Sequence, residues 1–271
     1  MSPTRGITIT PIFSGLAFVA AISGGFVLGR AHPANHRDAV TTHGEWVKYP
    51  NARGKTVRAY VAYPERKDRA PTLIVIHEIF GMNAWVASVA DRYAARGYVA
   101  IAPDLLSSEY TSTDSVGTRA TQLISNLPDS ILVPDLDATY NYVNGLVASQ
   151  HDNTGLIGFC WGGGAVWRYA AANPKVKAAV PCYGPVSDTA ILKKVNAPVF
   201  AVYAQNDARV TGMLPGIEAA MENAHKTFSS TVYQGVGHGF LREGAPGTDS
   251  PEANRARADI DAFLARQLDH K

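Results

Sequence analysis

The chain has 271 residues, 46% of them hydrophobic and 18% charged. That balance suits a folded domain with a substantial core and excludes a disordered or fibrous chain. Lys and Arg number 25 against 23 Asp and Glu, which leaves no basic footprint for nucleic acid, and two cysteines, Cys160 and Cys182, are too few for a disulfide scaffold or a Cys-rich zinc site.

In chain order, the first feature is an uncharged stretch between Arg5 and Arg30 whose centre, from Ile12 to Leu28, is apolar. A short basic start, an apolar run and the small residues Gly29 and Ala31 read as an export signal cleaved after Ala31. The run is also close to the ~20 residues that span a bilayer, so an uncleaved anchor is the rival reading. The expectation is therefore a signal peptide or membrane anchor over 1–31, a polar lead over 32–43 and a domain over 44–271, exported to a periplasmic or extracellular space or held at a membrane by the leader.

Within the domain, Val57–Tyr63 is rich in β-formers and ends at Pro64, as an early antiparallel strand would. Thr72–Ile76 is a continuous apolar run, predicted as a strand buried on both faces. Val86, Val89, Ala90 and Tyr93 share one helical face, with Gly97 as the stop, and Tyr98–Ala102 is the next strand. Residues 104–133 read as a long loop with a short helix. Pro134 is expected to open a helix that turns Leu136, Tyr140, Val143 and Val147 inward.

The alternation continues with a strand at Gly155–Phe159, a helix at Gly162–Ala172, and strands at Ala178–Cys182 and Val199–Tyr203. A helix marked by Ile217, Ala220, Met221 and Ala224 and a strand at Ser229–Tyr233 follow. The last helix has Ser250 as N-cap and Pro251 in its first turn, and buries Ile260, Phe263, Leu264 and Leu268. Alternating strands and helices predict one α/β domain, a mainly parallel sheet with helices on both faces. Ligands of such sheets sit at the carboxyl ends of the strands.

One strand end carries Gly158-Phe-Cys160-Trp-Gly-Gly-Gly164, directly before a helix. This is a G-x-nucleophile-x-G elbow with Cys in the Ser position. The glycines permit a sharp turn that lifts the side chain above the sheet, and the helix N-terminus favours a thiolate. The alternatives are a glycine-rich turn around a structural cysteine and a phosphate cradle, although the run lacks G-x-G-x-x-G and the Lys-Ser/Thr of a P-loop.

A thiol nucleophile needs a base, and the base an orienting acid. Asp207, just after Val199–Tyr203, and His238, after Ser229–Tyr233, follow Cys160 in the order this kind of site uses. Among the eight histidines, His32, His36 and His43 are in the lead, His270 is at the end, and His151 and His225 are expected at helix ends, while His77 closes a strand beside the site. The next residues, Glu78-Ile-Phe-Gly81, occupy the loop that supplies a second oxyanion donor in such folds, so the N–H groups of Ile79 and Trp161 are assigned to the oxyanion hole. Glu78 is placed to take a proton from the thiol or to hold an arginine.

Glu78 in His-Glu-Ile-Phe-Gly, Cys160 in Gly-Phe-Cys-Trp-Gly-Gly, Asp207 and His238 together resemble the dienelactone hydrolase family, over roughly residues 44–268. Asp91 and Asp104 add to the likeness. The resemblance implies an α/β-hydrolase fold, a Cys160–Asp207–His238 triad, and carboxymethylenebutenolidase chemistry that opens an enol lactone through a thioester. It makes Glu78 the group that switches on the thiol, and Arg242 the holder of the substrate carboxylate. Arg119 is the candidate for a second such arginine.

The same triad would serve a general carboxylesterase or thioesterase, and a binding module with a vestigial elbow is the reading from another class. Cys182 is expected to pack mid-strand as a small apolar group. No cofactor and no metal are expected, since no H-E-x-x-H or C-x-x-C spacing occurs. The expected partner is a small-molecule ester or lactone, bound by a monomer.

Overall fold

The computed structural model describes residues 42–244 and 248–268. The leader, most of the lead segment, His32, His36 and His270 lie outside them, and with them the expectations about export and anchoring. Among the described residues no helix is long and apolar enough to cross a membrane.

The domain opens with a hairpin of β1 (Thr42–Pro50) and β2 (Thr56–Pro64). The strand β1 was not expected. Its run from Thr42 to Pro50 is largely exposed and holds too few buried apolar residues to give a period-2 signal. Next come β3 (Ala70–Ile76), α1 (Ala84–Ala94) and β4 (Val99–Asp104). Asn83 caps α1 by accepting the Val86 N–H, and Val86, Val89, Ala90 and Tyr93 are buried, as their spacing predicts.

Residues 104–133 are more helical than expected. They hold α2 (Thr113–Val116), a 3-10 turn at Gly117–Arg119 and α3 (Ala120–Ser125). The helix expected to open at Pro134 instead begins five residues earlier, as α4 (Asp129–Gly145), with Pro134 inside it. Val147, assigned to the inward face, lies beyond the helix end and is 86% exposed.

The strand β5 (Ser149–Phe159) is longer than its apolar part, and His151, expected at a helix end, lies within it. Then follow α5 (Trp161–Ala172), β6 (Ala178–Cys182), a 3-10 helix at Thr189–Lys194 and β7 (Val199–Asn206). Cys182 ends β6 rather than lying mid-strand, and it is fully buried among apolar neighbours. The chain closes with α6 (Ala208–Thr211), α7 (Leu214–Asn223), β8 (Phe228–Gly237) and α8 (Pro251–Leu268). Ser250 Oγ accepts the Ala253 N–H at the start of α8.

All eight strands form one sheet in the order β1-β2-β4-β3-β5-β6-β7-β8. The β1–β2 and β2–β4 pairs are antiparallel, and every pair from β4 to β8 is parallel. This is the α/β architecture expected, with helices on both faces of the sheet. One face is covered by a layer that includes Leu136, Tyr140, Trp167 and Tyr169, the other by a layer that includes Val86, Tyr93, Ile260 and Phe263. Each of these large apolar side chains contributes about 1.5–3 kcal/mol by leaving water. The parallel strands therefore end together at one rim, which carries Glu78, Cys160, Asp207 and His238.

Candidate active site

Cys160 occupies the single residue between β5 and α5, at φ +56°. That left-handed conformation costs a non-glycine residue about 1–3 kcal/mol and persists only where the surroundings impose it. Here they do. Cys160 N–H donates to Cys182 O (3.0 Å) on β6, and Cys160 O accepts from Gly164 N–H (3.2 Å) in α5. The flanking glycines are needed for close backbone approach. A Cβ on Gly158 would lie 2.3 Å from Gly162 O, and one on Gly162 would lie 2.3 Å from His77 O. The elbow thus presses α5 onto the ends of β3 and β5.

His238 follows β8 in a turn, and its ring reaches back to the elbow. Nε2 lies 3.0 Å from Cys160 Sγ, and Nδ1 lies 2.5 Å from Asp207 Oδ2. Asp207 follows β7 directly, is 7% exposed, and its backbone O accepts the Val210 and Thr211 N–H groups of α6. Three residues from three strand ends therefore form one hydrogen-bonded row. The thiol contact, then Asp207, pushes the His238 pKa up to about 9 against the opposing effect of burial.

Trp161 is the first residue of α5, so its N–H belongs to the helix-terminal donors that lack an intrahelical acceptor. Ile79 follows Glu78 at the end of β3, the strand paired with β5 up to Ile76 and Gly158. His77 supports both residues in a way the sequence did not reveal. It is fully buried and stacks on the Trp161 ring at 5.7 Å. Nδ1 donates to Glu78 O (2.7 Å), since a carbonyl can only accept, and Nε2 accepts from Leu105 N–H (3.4 Å). That pattern requires the neutral ring, in keeping with a pKa lowered by burial.

Glu78 is 3% exposed, and its Oε2 has no hydrogen-bond partner. Arg242 Nε stands 3.8 Å away, near enough to attract but too far to donate. Burial raises the carboxyl pKa, and the charges of Arg242 and His238 only partly oppose it. Arg242 covers the exposed Phe80 ring at 4.8 Å. Its neighbour Glu243 pairs elsewhere, with Arg92 of α1 and Arg257 of α8. Arg119 is not brought to this group. It is exposed and lines a hollow of about 330 Å³ with Leu106, Tyr110 and Leu123.

Tyr183 is the other residue that sequence reasoning missed. It directly follows Cys182 at φ +38°, is fully buried, and sets its ring edge-on to His238 at 5.1 Å. Its positive φ turns the chain directly after the strand, and nothing in the letters Cys-Tyr-Gly announces it. Among the described residues no His, Cys, Asp and Glu side chains cluster as a metal would require.

The family model for dienelactone hydrolases matches residues 57–268. The chain belongs to the dienelactone hydrolase family. This makes it a hydrolase of small-molecule esters or lactones. A Methylorubrum extorquens protein with the provisional name carboxymethylenebutenolidase is 33% identical over 213 residues, 74% of this chain and 73% of the relative. A Bradyrhizobium protein provisionally named 2-oxo-3-(5-oxofuran-2-ylidene)propanoate lactonase is 28% identical over 208 residues, 72% of this chain and 83% of the relative. Among solved structures, a provisional dienelactone hydrolase of Klebsiella pneumoniae has a TM-score of 0.77 at 27% identity, with 83% of this chain and 99% of that one covered.

Proposed function

We propose that this dienelactone hydrolase family member opens enol lactones or activated esters through a Cys160 thioester. The observation that carries the reading is the unbroken row from Asp207 through His238 to the Cys160 sulfur. Asp207 fixes the ring with Nδ1 protonated, which leaves Nε2 to exchange a proton with the thiol. The sulfur attacks the carbonyl carbon, and the developing oxyanion is held by the Ile79 and Trp161 N–H groups. The C–O bond breaks, the leaving oxygen takes the proton from His238 Nε2, and a thioester remains. Water then loses a proton to His238, attacks the thioester, and releases the acid and the thiolate.

A thiol is a better leaving group than an alkoxide, so a poor leaving oxygen returns the tetrahedral adduct to substrate. Enolates and phenolates leave more readily, which favours enol lactones and aryl esters over alkyl esters. Arg242, half-exposed above Phe80, is positioned to receive a substrate carboxylate; as that carboxylate draws Arg242 away, the Glu78 charge is left to favour the protonated His238 ring and with it the Cys160 thiolate. The Bradyrhizobium relative named for a lactone with an exocyclic double bond and a carboxylate favours the same substrate class.

The test is the Cys160→Ala protein against an enol lactone and an aryl acetate. Loss of at least ~10³-fold in kcat/KM, with an acyl adduct trapped on Cys160 of the parent, is expected. Retention of the hydrolytic rate overturns the mechanism.

A further inference from the structure

Beyond the end of β3 the chain makes a tight loop from Glu78 to Met82, and this loop is held at both ends. At its far end Met82 N–H donates to Thr113 Oγ1 (3.3 Å). Thr113 is itself fixed by Asp104, which accepts its N–H (2.7 Å) and its hydroxyl (2.6 Å). At the near end Glu78 O accepts two bonds. One comes from Gly81 N–H (3.0 Å) and closes a β-turn; the other comes from His77 Nδ1 (2.7 Å). Between these anchors, the Ile79 N–H has no acceptor among the described residues.

Glu78 O and the Ile79 N–H belong to one peptide unit. That unit is planar and trans, so its C=O and N–H point in opposite directions. Whatever holds the oxygen therefore aims the hydrogen. The Gly81 N–H holds it from within the loop and moves with the loop. His77 holds it from a ring packed in place. That ring is fully buried, stacks on Trp161 at 5.7 Å with 13° between the planes, and accepts the Leu105 N–H just past β4 (3.4 Å). The backbone of His77 adjoins the start of α5, where a Cβ on Gly162 would meet His77 O at 2.3 Å. Turning over the 78–79 peptide would break the bond to His77 and present a carbonyl oxygen where the N–H now points.

We infer that His77 is the positioning residue of the oxyanion hole: its Nδ1–H aims the Ile79 N–H, and its ring face holds Trp161, which carries the other donor. The inference rests on the Cys160 mechanism and the two donors proposed above, and adds what keeps those donors in place before substrate arrives. Donors fixed in advance need no reorientation as charge develops, and that is the source of their effect on rate. A neutral imidazole suits the task, since it offers one donor and one acceptor on a flat ring. Here the donor, the acceptor and the ring face are all engaged. His77 carries no proton in the reaction.

The test uses the full chain and p-nitrophenyl cinnamate, with the C=O stretch of the cinnamoyl thioester on Cys160 read by infrared difference spectroscopy. In the parent the stretch is expected below that of a cinnamoyl thioester in water, because fixed donors polarise the carbonyl more. His77→Phe keeps a ring against Trp161 and removes the donor. Its kcat, counted per acylated site so that unfolded material drops out, should fall about 10–10²-fold with KM within about threefold, and the stretch should return toward the water value. His77→Leu carries the same expectation, so the test survives if one of the two does not fold. His77→Asn, whose amide N–H takes the place of Nδ1–H, should recover most of both readouts. Parental kcat and stretch in the apolar variants overturn the inference. A loss of kcat with the stretch unchanged also overturns it, since that marks a merely structural role, and an Asn variant no better than Phe overturns the part given to the donor. A parent stretch at the water value removes the oxyanion assignment and the inference with it. If the His77 variants match the parent while Cys160→Ala is inactive, the mechanism stands without His77; if Cys160→Ala is active, the mechanism itself has failed.

Discussion

Glu78 shows how a single side chain can oppose the stability of the fold that holds it. A carboxylate with an unpartnered buried oxygen is expensive, and its raised pKa records that cost. The sign follows from linkage. The folded state holds the proton to higher pH than the unfolded chain does, so Glu78 favours folding only under acid conditions, and that contribution is lost as pH rises through the ordinary carboxyl range to the raised value. Glu78→Gln should therefore raise Tm at pH 7, and the gap to the parent should close as pH falls toward about 4. The same variant should lose about 10²-fold in kcat on an enol lactone, because the amide supplies no negative charge to favour the protonated His238 ring and the thiolate beside it. A Tm that is unchanged or lower at pH 7 would contradict the account of Glu78 as a charge held at the expense of stability.

At the scale of elements, the elbow depends on what the glycines leave out. The backbones of β3, β5 and α5 meet at Gly158 and Gly162 with no room for a methyl group. Gly162→Ala places a Cβ against His77 O and Ile76 O, backbone atoms that cannot swing aside. The expected cost is about 1–3 kcal/mol or more, measured by denaturant unfolding, with hydrolysis falling further than stability because the elbow fixes both the sulfur and the Trp161 donor. Parental stability in the Gly162→Ala protein would show that the elbow can relax. The spacing Gly-x-Cys-x-Gly was legible because local backbone geometry demands it, and so were the apolar faces of α1 and α8. The start of α4 was not. Pro134 reads as a first-turn residue by local rules, yet buried Leu132 and Asp135 draw the helix back to Asp129.

Across the whole molecule, the amino-terminal hairpin is tied to α4 by a polar knot under the sheet edge. Asp135 is fully buried and accepts from Asn51 Nδ2 at 2.5 Å and Ser108 Oγ at 2.6 Å, with Arg53 Nη2 at 3.4 Å. Thr139, one turn further along α4, bonds the Tyr49 hydroxyl at 2.8 Å. Removing the carboxylate leaves several buried donors unsatisfied, so Asp135→Ala is expected to cost about 2–4 kcal/mol, read by denaturant unfolding. The kcat of the folded fraction should stay at the parental value, since none of these groups reaches the site. A stability loss below ~0.5 kcal/mol would show the knot to be incidental.

The sequence by itself determined what short-range chemistry dictates. The alternation of apolar strands and amphipathic helices, the glycine-bounded cysteine turn, and the order of Cys160, Asp207 and His238 at successive strand ends all follow from backbone and side-chain preferences over a few residues. It also carried the family likeness. Only the tertiary structure decided which groups meet. Arg242 faces Glu78 rather than Glu243, His77 buttresses Trp161, Tyr183 edges onto His238, and Arg119 lines a different hollow. Those partnerships join residues far apart in the chain. They are set by strand order and by which sheet face each element covers, and no local pattern of letters encodes either.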